Sequence, residues 1–253
     1  MAANYEDYCN YLQSNSTFAE FKQHSHYRVI LEHVSVDEGY RYLSLIETEY
    51  DIPLEHIEKF ITMNDTYGNP IKESFVSGKY NVTILCSPTS LRYIYHSLVI
   101  LKYYETTKLR EIVEVGCGYG GLCLAINYFA DLLHIPIDKY HLIDLPDVCH
   151  LITHYLSKHE STIKIPFETY ESSTFGRTIK SENLFLISNY CFTEIDDEYR
   201  NNYCDNLLPK VKNGFMVWQT DFFPSLSTDI LKKNIVSFVE ERPKTSENYF
   251  VYF

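Results

Sequence analysis

The sequence predicts an α/β fold: a Rossmann-like, mostly parallel seven-stranded sheet with helices on both faces, preceded by a helical N-terminal region. Three observations predict it. From Arg110 onward, short apolar runs rich in β-branched and aromatic residues alternate with helical patterns, which implies parallel strands joined by crossover helices. One of those runs, Ile112 to Val115, breaks at once into glycines at alternate positions, Gly116, Gly118 and Gly120, before a helical pattern starts at Leu122. The chain closes on Asn248 to Phe253, a further strand pattern that folds of this class commonly insert antiparallel to its neighbours.

The N-terminal region, up to about residue 63, reads as helices. Val36 to Tyr50 carries Val36, Tyr40, Leu43, Leu45 and Ile46 near helical period, and Pro53 opens a second helix with Ile57, Phe60 and Ile61 on one face. Asn64 to Tyr80 is polar, holds Gly68, Pro70 and Gly78, and reads as a long loop. A helix begins at Ser87-Pro88 and runs to about Tyr104. Strands are expected at 111–115, 140–144, 163–168, 184–189, 214–219, about 235–240 and 248–253, with helices at 119–133, 146–158, 197–210 and 226–233. The expected division is a helical cap and acceptor region, 1–86, and a sheet domain, 87–253.

Composition excludes several function classes. The formal net charge of −12 argues against a nucleic-acid partner, which calls for a basic surface. The longest apolar stretches fall short of a membrane span, so no membrane partner is expected. Seven cysteines with no C-x-x-C pair, in a chain that opens without a basic and apolar leader, read as reduced thiols of a cytoplasmic protein.

The glycine stretch reads E-V-G-C-G-Y-G-G over 114–121. It also satisfies G-x-G-x-x-G, the dinucleotide pattern, which seats a pyrophosphate on the turn. Glu114 would repel that anion, which disfavours a nicotinamide cofactor. An acid there suits a cation. S-adenosylmethionine carries a sulfonium and an α-ammonium and no phosphate, so E-x-G-x-G-x-G reads as the first motif of a class I methyltransferase. A second acid, Asp144, ends the next strand, Tyr140 to Asp144, where it can accept both ribose hydroxyls. Its alternative role is capping the following helix, for which Asp147 is better placed.

Ligands in open α/β sheets sit at the carboxyl ends of the strands, which gathers Glu114, Asp144, 168–172, Ser188-Asn189 and 219–221 around one cleft. After the fourth strand the chain reads Ser188-Asn189-Tyr190-Cys191-Phe192, without the Pro-Pro turn that amino methyltransferases use to hold a planar amine. An oxygen acceptor is therefore expected.

Five pieces, N-D-T-Y-G-N-P (64–70), S-P-T-S-L-R-Y (87–93), E-V-G-C-G-Y-G-G (114–121), L-I-D-L-P-D-V (142–148) and S-N-Y-C-F-T-E (188–194), together resemble the sugar O-methyltransferase family of the class I enzymes. The resemblance covers roughly 64–205. It implies S-adenosylmethionine as cofactor, held by Glu114, Gly116, Gly118, Tyr119, Gly120, Asp144, Leu145, Ser188 and Asn189. It implies a sugar or nucleotide-sugar hydroxyl as acceptor. Arg92 and Tyr93 are the candidate substrate-binding residues, with Arg92 able to pair with a substrate phosphate, the cofactor carboxylate or a surface acid. Cys117 departs from the family, which often has Gly there, and Thr193 stands where Ser is common.

A sugar hydroxyl is a weak acid, so a general base is expected, and Glu194, Asp221 and His96 are its candidates. His150 and His154 have a zinc-compatible spacing but no Glu beside the first, and no metal is expected. Two other readings stay open: methylation of a small phenol or carboxylate, and a methyltransferase-like fold that only binds.

Overall fold

A computed structural model describes residues 18–222, 231, 233 and 235–253. The described helices are α1 (Ser25–Ile30), α2 (Val36–Glu49), α3 (Leu54–Thr66), α4 (Pro88–Thr107), α5 (Gly121–Leu133), α6 (Pro146–Ser157) and α7 (Asp197–Asn206). The strands are β1 (Glu73–Val76), β2 (Thr83–Cys86), β3 (Glu111–Val115), β4 (Lys139–Asp144), β5 (Phe167–Glu171), β6 (Leu184–Asn189), β7 (Val211–Gln219), β8 (Ser237–Glu240) and β9 (Asn248–Tyr252). They form two compact units: 1–99 with 118–129 and 150–163, and 100–117 with 130–149 and 164–253.

The second unit holds the whole seven-stranded sheet, in the order β5-β4-β3-β6-β7-β9-β8. β3 pairs in parallel with β4 and β6, and β9 runs antiparallel to both of its neighbours, β7 and β8. This is the sheet expected from the sequence, with the last strand inverted. Alternation along the strands divides the core between two faces. Val113, Val115, Leu184, Leu186, Met216 and Trp218 pack with Tyr203 and Cys204 of α7 and with Leu207 just past its end on one face. Phe185, on the other, meets Tyr103 and Tyr104 of α4 edge-on or tilted, with centroids 5.8 and 5.1 Å away.

In the first unit, α2 starts on a capping box, in which Ser35 accepts from the Glu38 amide and Glu38 from the Ser35 amide. The buried stripe of α3 includes Ile57, Phe60 and Ile61, as the apolar spacing required, whereas that of α2 is Gly39, Tyr42, Leu43 and Ile46, with Val36 and Tyr40 left exposed because the inward face is turned toward Tyr42.

Several boundaries differ from expectation. The polar stretch read as a long loop contains β1, which pairs antiparallel with β2. Only Phe75 of β1 is buried, so four residues of alternation are masked by polar flanks. β5 starts at Phe167, after Pro166, which has no amide to donate; the Pro166 carbonyl instead accepts from the Tyr140 amide at 2.9 Å. α7 ends at Asn206, and Pro209 lies in a separate 3-10 turn, Leu208–Lys210. β7 begins three residues early, at Val211. The helix expected at 226–233 falls almost wholly outside the described residues, as does the region before residue 18.

Candidate cofactor and base site

The chain leaves β3 toward β4 and then β5 on one side of the sheet, and reaches β7 from β6 on the other. The carboxyl ends of β3 and β6 therefore flank the switch point, where such sheets bind ligands. Gly116 follows β3 with φ +79°, a left-handed backbone that L side chains rarely adopt. Space is equally restrictive: a Cβ on Gly116 would lie 2.3 Å from Cys191 Cβ and 2.4 Å from its Sγ. The glycine is thus required twice, by backbone and by the thiol packed on it.

Asp144 ends β4 and is 8% exposed. Its Oδ2 accepts from the Cys117 amide at 2.6 Å and its Oδ1 from the Leu145 amide at 2.8 Å. The carboxylate therefore ties the glycine turn to the neighbouring strand. Leu145 takes part through its amide.

Glu114, on the sheet face opposite the α7 core, is 2% exposed and accepts from Tyr140 Oη at 2.7 Å. Burial, reinforced by the nearby Asp144 charge, pushes its carboxyl up to about 8, and the Tyr140 hydroxyl opposes that shift. A cation beside Glu114 would restore its ionised form.

Ser188 is fully buried and braces the turn: its Oγ donates to the Val115 carbonyl at 3.0 Å and accepts from the Phe192 amide at 3.2 Å. Asn189 ends β6, half-buried. Tyr190 then takes φ +61°, and its hydroxyl bonds the buried Glu241 carboxylate. The next turn brings Glu194 to Gln219, whose Nε2 donates to Glu194 Oε1 at 2.9 Å. Glu194 is exposed at the surface, and the protein on its inner side still raises its carboxyl above the usual range by partial desolvation, which the Gln219 bond opposes. Asp221, just past β7, is exposed and accepts from Ser246 Oγ at 2.8 Å.

The remaining expected residues belong to the first unit. There a Cβ on Gly118, at φ +57°, would lie 3.1 Å from Leu31 Cδ1, a neighbour no sequence pattern announced. Gly120 lies against Leu156 and Ile152. The Tyr119 ring is buried; its hydroxyl donates to Asn64 Oδ1 at 3.2 Å, and Lys22 Nζ lies 4.4 Å from its centroid. Its side chain is part of the first unit's interior. Tyr93 meets Tyr119 edge-on at 5.7 Å. Arg92, 5% exposed, donates from Nη2 to the Leu31 carbonyl at 3.0 Å. His96 is 1% exposed, with Tyr42 and Tyr95 packed on it, and burial pushes its imidazole down to about 3. These are the surroundings of a core histidine. His154 stacks flat on Phe18, with centroids 4.1 Å apart. Among the described residues, no group of three or more His, Cys, Asp or Glu side chains is arranged to hold a metal, no helix is long and apolar enough to cross a membrane, and the six cysteines are free thiols.

No protein-family model matches the chain, and no curated protein does. Among solved structures, it is similar to human N-acetylserotonin methyltransferase in complex with SAM, at 12% identity over 62% of this chain and 50% of that one, with a TM-score of 0.41. It is similar to the CMeT domain of the citrinin polyketide synthase, at 14% identity over 66% and 53%, with a TM-score of 0.49. A third is a SAM-dependent methyltransferase from Aquifex aeolicus, at 15% identity over 60% and 86%, with a TM-score of 0.44. The match spans about half the length of the first two proteins. Likeness at these levels carries no argument about reaction or substrate, which rest on this chain's own residues.

Proposed function

We propose that this chain is an S-adenosylmethionine-dependent O-methyltransferase whose acceptor is a sugar hydroxyl. The observation that carries the cofactor is Glu114. It is a buried carboxylate at the end of β3, acted on by the Tyr140 hydroxyl and the Asp144 charge, and held largely protonated near neutral pH. A cationic ligand at the switch point relieves that burial cost, and a pyrophosphate would aggravate it. The turn supplies the rest of the fit: a left-handed Gly116 with no room for a side chain, and Asp144 fixed beside it, a carboxylate of the kind that ribose hydroxyls donate to.

The cofactor supplies an electrophilic methyl group on a sulfonium. The residues of the chain bind and orient. Asp144 and the Cys117 and Leu145 amides fix the turn, Ser188 braces β3 against the loop after β6, and Glu194 takes the proton of the acceptor hydroxyl. Proximity and alignment supply much of the rate in a displacement of this kind, and a base adds about 10²–10⁴-fold. An oxygen acceptor is favoured by Ser188 to Phe192, which lacks a Pro-Pro turn, and a sugar by the resemblance of the combined motifs.

Calorimetric titration with S-adenosylhomocysteine and with NAD tests the cofactor. A methyl-release assay over nucleotide sugars, glycosides and phenols tests the acceptor. Binding of S-adenosylhomocysteine with turnover of a sugar bears the reading out. Turnover of phenols alone moves the acceptor class, binding without any turnover points to a binding protein, and tight NAD binding without S-adenosylhomocysteine binding overturns the proposal.

A further inference from the structure

We propose that Gln219 is a positioning residue for Glu194, its side-chain amide anchored on the Thr193 hydroxyl so that an N–H donor faces the Glu194 carboxylate. This rests on reading Glu194 as the base. Thr193 Oγ1 donates to Gln219 Oε1 at 2.8 Å, and Gln219 Nε2 donates to Glu194 Oε1 at 2.9 Å. The carboxylate, which only accepts, decides which end of the amide meets it, and the hydroxyl, which can donate or accept, anchors the other end. Turned over, the amide would set its carbonyl against the carboxylate and lose the bond to Glu194.

The frame of this relay is rigid. Gln219 is the last residue of β7 and pairs with Asn248 of β9. Thr193 is 3% exposed. Arg200, 6% exposed on α7, donates from Nε to the Phe192 carbonyl at 3.1 Å and from Nη2 to the Ile195 and Thr193 carbonyls. Three carbonyls around Glu194 are therefore pinned from the following helix. A site group held by secondary elements through a second layer of bonds is preorganised. A donor on a carboxylate favours its ionised form, which is the form that accepts a proton. The titratable groups close by in the chain are Cys191 and Asp196 on the same loop, Asp197, Glu198 and Arg200 on α7, and Asp221 past β7. Arg200 is committed to carbonyls and Asp197, and Asp221 accepts from Ser246.

The test titrates the full chain, labelled with ¹³C at glutamate Cδ, by NMR. The Glu194 resonance is assigned by its loss in Glu194→Gln. Gln219→Leu removes the donor and is expected to raise the Glu194 midpoint by at least about half a unit, a threefold shift in its protonation equilibrium. Thr193→Val keeps the amide, removes its second anchor, and is expected to move the midpoint the same way by less. Affinity for S-adenosylhomocysteine is expected to stay within about twofold in both, because the change is confined to the base. An unchanged Glu194 midpoint in Gln219→Leu overturns the proposal; if that variant does not fold, an unchanged midpoint in Thr193→Val does so. The titration needs no acceptor. If the midpoints move as expected and no methyl transfer is found, the positioning stands and the function falls. If turnover depends on Glu194 and the midpoints stay fixed, the function stands and the positioning falls.

Discussion

Asp144 holds the Cys117 amide at 2.6 Å, so the acid that ends β4 is bonded to the turn that follows β3. Ligand binding and turn geometry therefore depend on one carboxylate. Asp144→Ala is expected to weaken S-adenosylhomocysteine by about 1.5–3 kcal/mol, the range for hydrogen bonds to charged groups, and to lower the melting midpoint as well. Asp144→Asn keeps one acceptor oxygen and should lose less of both. Calorimetry alongside thermal melts checks this; a melt shift with unaltered affinity would reassign Asp144 to a structural brace.

Glu114 makes pH a direct probe. Its carboxyl is pushed up to about 8 from an ordinary 4.5, so between those values the ligand-free folded chain holds a proton that the unfolded chain has released. Stability from this group accordingly falls as pH rises through that window. A cationic ligand needs the ionised form, so its uptake releases a proton below about pH 8, and its affinity rises with pH until that point. Calorimetry of S-adenosylmethionine near neutral pH, in buffers of different ionisation enthalpy, should count up to one proton released by the wild type. Glu114→Gln should abolish that release and flatten the decline of stability with pH.

Gly116 offers a test that separates backbone from space. In Gly116→Ala the left-handed backbone costs about 1–2 kcal/mol, and the new methyl also collides with Cys191. Adding Cys191→Gly removes the collision and leaves the backbone cost. Partial recovery of melting midpoint and S-adenosylhomocysteine affinity in the double variant is the expected result. No recovery would show that the thiol is not what fills the space over Gly116.

For the base, Glu194→Gln is expected to cut kcat by about 10²–10⁴-fold while cofactor affinity barely moves. Asp221 and Glu194 are both exposed, but Asp221 is bonded to Ser246 and lies outside the Thr193–Gln219 pair that holds Glu194, so Asp221→Asn should act mainly on KM. A kcat loss confined to Asp221→Asn would reverse the two roles.

The sequence made the sheet legible because its signals are local. Ile112 to Val115 followed by alternate glycines announced a strand and its turn, and the glycines at 116 and 118 do lie at positive φ. Asp144 and Glu114 were readable for the same reason, since a strand end places its acid by chain position alone. The β1–β2 hairpin was not readable, because Phe75 carries its inward face almost alone. His96 looked available beside Arg92 and Tyr93, yet the tertiary structure encloses it among tyrosines.

The sequence by itself determined the strand order's raw material, the positive-φ turn and the two acids at the ends of β3 and β4, all set by short-range sterics and periodicity. Only the tertiary structure decided which groups meet across long separations: Cys191 on Gly116, Leu31 on Gly118, and Gln219 between Thr193 and Glu194. Those pairings depend on strand register and close packing, which bring distant residues within bonding distance and leave no trace in local sequence.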